Sequence, residues 1–218
     1  MRDGEQVCTV EKKDTDAIRL AELMVGRGID AGSIAEKRDL DDREIIMSIR
    51  NLEVDMPGEA VKGLDLDIRK GEIIGLGGLA GQGKIGVSNG ILGLYPSDGS
   101  ISYEGQQLPM NNPLAVLKRK IAFVSEDRRN VGLILSESIE ENIAIGALRV
   151  NGKFLKKYGP VTQIDKKAVK DNSDRMIEDF KIKCVSGKQH VSDLSGGNQQ
   201  KVCMARALTM EPYLLFVS

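Results

Sequence analysis

Seven consecutive residues constrain this chain more than any others: Gly78-Leu79-Ala80-Gly81-Gln82-Gly83-Lys84, a G-x-x-x-x-G-K spacing directly behind the apolar run Ile73-Ile74-Gly75-Leu76. That run predicts a strand over 72–76 buried on both faces, and a helix is expected from about Gly83. Between them, glycines let successive backbone N–H groups turn inward and form a cradle for phosphate. Lys84 supplies a point charge for the outer phosphates, and the helix N-terminus adds its dipole. Gly78, Gly81, Gln82, Gly83 and Lys84 are therefore the candidate phosphate contacts. The next position breaks the pattern. Mg2+ demands oxygen ligands, and the motif normally supplies a Ser or Thr here, but Ile85 offers neither. Weakened magnesium binding is the expectation.

A second motif stands far downstream: Leu194-Ser195-Gly196-Gly197-Asn198-Gln199-Gln200-Lys201, followed by Val202, Ala205 and Leu208 on one helical face. Ser195 is a reasonable N-cap for a helix over about 198–210, and two glycines leave the first amides bare. Pro212 stops that helix, and residues 214–217 read as a strand. A helix N-terminus that cannot reach the phosphate loop of its own chain suits the terminal phosphate of a partner's nucleotide.

Composition removes several alternatives. Thirty-one Lys+Arg against 32 Asp+Glu leave a formal charge of −1 over 218 residues. A nucleic-acid partner held by bulk electrostatics is thereby excluded. With 41% hydrophobic and 29% charged residues the chain is neither disordered nor membranous by composition. A globule of this size hides about 70% of its extended-chain surface, so it can build a core. Cys8, Cys184 and Cys203 are scattered, without the spacing of a zinc site or a disulfide framework. They read as reduced thiols. No signal peptide opens the chain, and no run approaches the ~18 apolar residues of a membrane span. His190, the only histidine, lacks companions and reads as no ligand.

The organisation along the chain is an appendage, an α/β segment, a helical insert and a return to α/β. Residues 1–42 form the appendage: a short strand over 7–10, a helix over 16–25 and a charged linker. Alternating Ile45, Met47 and Ile49, and again Leu64, Leu66 and Ile68, predict half-buried strands around a Met56-Pro57-Gly58 turn. Residues 100–103 and 121–124 are further short strands. A helical subdomain is expected over about 136–193, with the lysine-rich stretch 153–170 as a solvated helix face.

Together these motifs resemble the ABC-transporter ATPases, with residues 78–84 as the Walker A motif and 194–200 as the signature. More narrowly, residues 194–201 and Ser125-Glu126-Asp127-Arg128-Arg129 resemble the second cassette of the tandem ATPases of bacterial monosaccharide importers, the ribose, galactose and xylose type. The resemblance covers nearly every residue. Arg2-Asp3-Gly4 and Met24-Val25-Gly26-Arg27 are similar to the last strand and tail of that family's first cassette. The fold it implies is an α/β P-loop NTPase core with a helical insert over 43–218, incomplete, with the C-terminal strands missing.

The same resemblance implies ATP with Mg2+, a membrane permease, a periplasmic or lipid-anchored sugar-binding protein, and a first cassette or second copy of the subunit as partner. It places the chain at the cytoplasmic face of the cell membrane. Ser195, Gly196, Gly197, Asn198 and Gln199 would act in trans, and Glu126 stands where the family's Q-loop glutamine belongs. Ser218 falls on the Walker B aspartate that helps bind Mg2+, so no complete catalytic set is expected. Residues 45–75 contain no Phe, Tyr or Trp to stack on adenine. Three alternatives stay open: a non-catalytic fragment or gene remnant, a nucleoside importer, and a soluble ABC ATPase. The Glu126, Arg128 and Arg129 group is either a plain surface ion-pair cluster or the loop that meets a membrane partner.

Overall fold

The computed structural model describes residues 6–26 and 42–218. The Arg2-Asp3-Gly4 segment, Arg27 and the linker over 27–41 lie outside them. Contacts divide the chain into two units, residues 1–43 and 44–218. In the first, α1 (Ala17–Val25) is capped by Asp16, whose side chain accepts from Arg19 N at 2.7 Å, and it ends on Gly26 at φ 80°. Residues 7–10 form no strand, and Val7 and Val10 are exposed. An apolar pair without a ladder partner has nothing to hold it extended.

In the second unit, β1 (Ile45–Val54) pairs antiparallel with β2 (Val61–Arg69) through a short turn. Pro57 and Gly58 occupy its central positions, Gly58 has φ 78°, and Glu59 N donates to Met56 O at 3.0 Å. Proline followed by a left-handed glycine is the sequence of a type II turn. Helix α2 (Lys84–Ile91) follows the Gly-rich loop, then β3 (Ser97–Tyr103) and the two-residue β4 (Gln106–Gln107) complete a sheet of order β2-β1-β3-β4. Its inward residues Met47, Ile49, Leu52, Ile101 and Tyr103 are fully buried with Ile91 of α2.

Helix α3 (Pro113–Lys118) leads into β5 (Ile121–Val124), which runs parallel to β8 (Leu214–Val217). This two-stranded ladder separates two cores by strict alternation. Ile121, Phe123, Leu214 and Phe216 pack into the sheet's core. Ala122, Val124 and Leu215 pack into a second core, built on α4 (Ile139–Asn151), α5 (Lys166–Asp179) and α6 (Gly196–Thr209). The helical insert therefore rests on the opposite face of the ladder from the antiparallel sheet. Ser138 and Glu141 form a reciprocal capping box at the start of α4.

Two further sequence expectations fail. Residues 72–76 form no strand: Ile73 is 99% exposed and only Ile74 leans on the core. Two-face burial requires a neighbour on each edge, and no strand pairs with this segment among the described residues. The 153–170 stretch is a hairpin rather than a continuous helix: β6 (Leu155–Tyr158) pairs with β7 (Val161–Ile164), and α5 starts only at Lys166. Gly159-Pro160 makes its two-residue turn, with Gly159 at φ 61°. That dipeptide is the signal that argues against a helix.

Candidate functional site

The Gly-rich loop wraps the N-terminus of α2, with Gly81 and Gly83 at φ 80° and 84°. These left-handed conformations suit glycine and turn consecutive amides toward one point. Lys84 folds back and its Nζ donates to Gly78 O at 2.7 Å. Gln82 is exposed on the loop's rim. A cleft of about 450 Å³ opens beside the loop, bounded by Gly81, Gly83, Lys84 and the aliphatic side chains of Val61, Leu64 and Leu76. Its size suits a nucleotide-scale ligand, and its apolar wall is aliphatic, as the missing aromatics of 45–75 require.

The cradle already holds an anionic group. Glu59, at the end of the β1–β2 turn, is 9% exposed, and its Oε1 accepts from Gly81 N at 2.7 Å. The amides of Gly81, Gly83 and Ile85 and the charge of Lys84 hold its carboxyl below the usual carboxylate range, against the opposing effect of burial. An arrangement that stabilises a carboxylate in this way also suits a phosphate oxygen. Sequence reasoning missed Glu59 because an acidic residue in a hairpin turn looks like any solvated loop residue.

The resemblance places magnesium beside Ile85 and Ser218. Ile85 has no oxygen in its side chain, and its carbonyl accepts from Asn89 Nδ2 at 2.8 Å and Ser88 Oγ at 3.1 Å. Ser218 is an exposed neutral hydroxyl whose backbone N donates to Val124 O at 2.9 Å. Among the described residues no group of three His, Cys, Asp or Glu side chains could hold a metal.

At the second motif, Ser195 occupies the N-cap position of α6, but its side chain caps no backbone amide. Its Oγ accepts instead from Asn198 Nδ2 at 3.0 Å, while Asn198 Oδ1 accepts from Lys183 N at 3.0 Å. Ser195 holds the expected N-cap position, but its hydroxyl engages Asn198 rather than a backbone amide. The first amides of α6 thus lack a side-chain cap. Gly197 is exposed, with no atom within 4 Å of where its Cβ would stand among the described residues. Gln199 is buried, and its Nε2 donates to Val191 O at 3.1 Å and Leu194 O at 3.3 Å. It braces the approach to the helix and faces no solvent.

Residues 125–129 lead into a π-helical turn (Arg128–Gly132), whose N-cap Asp127 accepts from Asn130 N at 3.1 Å. Glu126 is exposed, and no ion pair joins it to Arg128 or Arg129 among the described residues. Arg128 turns toward α6 instead. A mostly apolar cleft of about 380 Å³ borders this turn, with Phe123, Ile145, Gly146 and Met210 in its wall and Arg149 and Arg206 beside them.

A glycine-rich loop at a helix N-terminus, an α/β core and a helical insert ahead of a second uncapped helix define a P-loop nucleotide-binding protein of mixed α/β fold. The ABC transporter family model matches residues 61–217, and the chain belongs to that family. It is similar to the nucleoside import ATP-binding protein NupA of Lactococcus lactis, with 34% identity over 221 residues, covering 100% of this chain and 42% of NupA. It is equally similar to the ribose import ATP-binding protein RbsA of Bacillus cereus, with 34% identity over 220 residues and the same coverage. The chain thus spans less than half the length of these curated relatives. Among solved structures it resembles the cassette MJ0796 bound to ADP and Pi, with TM-score 0.61, 22% identity and coverage of 78% of this chain and 72% of that one. It also resembles cbiO1 of Clostridium perfringens, with TM-score 0.57, 21% identity and coverage of 80% and 65%. Both share the fold.

Proposed function

We propose that this chain is an ATP-binding cassette of a sugar or nucleoside importer, and that it works asymmetrically. Its own nucleotide site is degenerate, and its 194–201 motif completes the site of a partner cassette. The observation that carries this reading is the contrast between its two helix N-termini. The start of α2 carries Ile85 where an oxygen ligand belongs, while the start of α6 lacks a side-chain cap and is open at Gly197. In this account the amides of Gly197 and Asn198, with Ser195 beside them, donate to the terminal phosphate of the partner's nucleotide. Lys84 and the amides of 81–85 hold phosphates in this chain's own site without completing a catalytic set.

The names of the relatives support import of nucleosides or ribose as the substrate class. The partners that follow are a first cassette or a second copy of the subunit, a permease, and a periplasmic or lipid-anchored binding protein. Residues 1–42 are, on this reading, the tail of a preceding cassette with its linker. No helix among the described residues is long and apolar enough to cross a membrane. Residence at the cytoplasmic face then depends on the permease, which docks at the apolar cleft beside Glu126 and the π-helical turn.

Flotation of the chain with vesicles tests this. It is expected to float with vesicles carrying a sugar or nucleoside permease of this class and to stay behind with empty ones. Equal behaviour with both contradicts the reading.

A further inference from the structure

We infer that Glu59 is an internal stand-in for phosphate: its carboxylate occupies the amide cradle of 81–85 and must leave before a nucleotide is bound. This rests on the reading of that loop as a phosphate site and adds a built-in inhibitor to it.

The geometry begins with the turn. Pro57 and left-handed Gly58 reverse the chain between β1 and β2 so that Glu59 enters the loop rather than solvent. The backbone of the turn is clamped against the same glycines. A Cβ at Gly83 would stand 2.7 Å from Ala60 O, one at Gly81 would touch Gly58 O at 3.4 Å, and one at Gly86 would collide with Glu59 O. Close approach of this turn, and not phosphate alone, therefore calls for glycine at Gly83 and Gly86. With the backbone fixed there, the Glu59 side chain reaches Gly81 N at 2.7 Å.

The contact is only half made. Oε1 is hydrogen-bonded, whereas the buried Oε2 has no hydrogen-bond partner among the described residues. A buried carboxylate oxygen left unpaired is unfavourable, so the carboxylate satisfies the cradle less well than a phosphate group would. Two negative groups cannot share the same amides, and binding is an exchange. Nucleotide affinity is then lowered by the fraction of molecules in which Glu59 is seated. The side chain acts as a plug that phosphate displaces, and it keeps an unliganded loop ordered.

The test is calorimetric titration of inorganic pyrophosphate into the 218-residue chain and three variants, with melting curves to confirm folding. Glu59→Gln and Glu59→Ala are expected to bind pyrophosphate more tightly than the parent by about tenfold or more. Glu178→Ala, which removes the same charge from α5, is expected to match the parent. Unchanged or weaker binding in both Glu59 variants overturns the plug while leaving the phosphate loop intact. An equal gain in Glu178→Ala also overturns it, since the effect would then be net charge. Absence of binding in all four proteins overturns the plug together with the phosphate-site reading.

Discussion

The guanidinium of Arg128 lies against Gly196: its Nη2 is 2.9 Å from the point where a Cβ on that glycine would stand. A cation is thereby placed at the start of α6, where the helix dipole gives it no favourable partner. Its Nε is buried without a hydrogen-bond partner among the described residues. The arrangement is one that an anion arriving at this helix would relieve.

Gly196→Ala follows from that contact. The clash is with the far end of a flexible side chain, so Arg128 can move and stability should change by no more than about 0.5 kcal/mol. Hydrolysis by a partner cassette should fall, because the displaced guanidinium no longer sits beside the first amides. Thermal melting and ATPase assay of the assembled complex check the two halves separately.

Gly90→Ala should behave oppositely. A Cβ there runs into Val54, a buried core residue on β1, with no flexible tip to yield. Overpacking of this kind costs about 1–3 kcal/mol. Urea denaturation is the measurement, and an unchanged midpoint would contradict the tight packing of α2 on the sheet.

A pH dependence follows from Asp67 on β2. Arg50 on β1 donates from Nη2 to Asp67 Oδ2 at 3.0 Å, its Nη1 lies 2.8 Å from Oδ1 as an ion-pair contact, and Ser48 donates as well. These bonds, Arg50's first, hold the Asp67 carboxyl below its ordinary value. A lowered folded-state value contributes stability above the unfolded pKa of about 3.9, lost as pH falls through the lower folded value. Asp67→Asn should therefore be less stable than the parent at pH 7, with the gap closing below about pH 4. A gap that persists in acid would contradict the ion pair as its source.

Much of this was legible because the signals were local. Alternation of Met47 and Ile49 marked β1, the glycine spacing at 78–84 marked the loop before α2, and Pro212 marked the end of α6. What escaped depended on neighbours. Residues 72–76 carry strand-like sequence, yet Ile73 faces solvent because no strand lies alongside among the described residues. The hairpin at 155–164 was hidden by lysines that suggest a helix face, although Gly159-Pro160 announced its turn. Gln199 belongs to the motif by sequence, and its burial under Val191 and Leu194 carbonyls appears only once the chain is folded. Glu59 had no sequence signal at all, since the amide it bonds, Gly81 N, lies 22 residues away.

The asymmetry of the two helix N-termini is tested most directly by comparing two substitutions in an assembled transporter. Ser195→Arg, which places a bulky cation at the exposed start of α6, is predicted to abolish transport-coupled ATP hydrolysis. Lys84→Ala, which removes the charge from this chain's own loop, is predicted to leave most of it. Equal losses in the two variants would contradict the account.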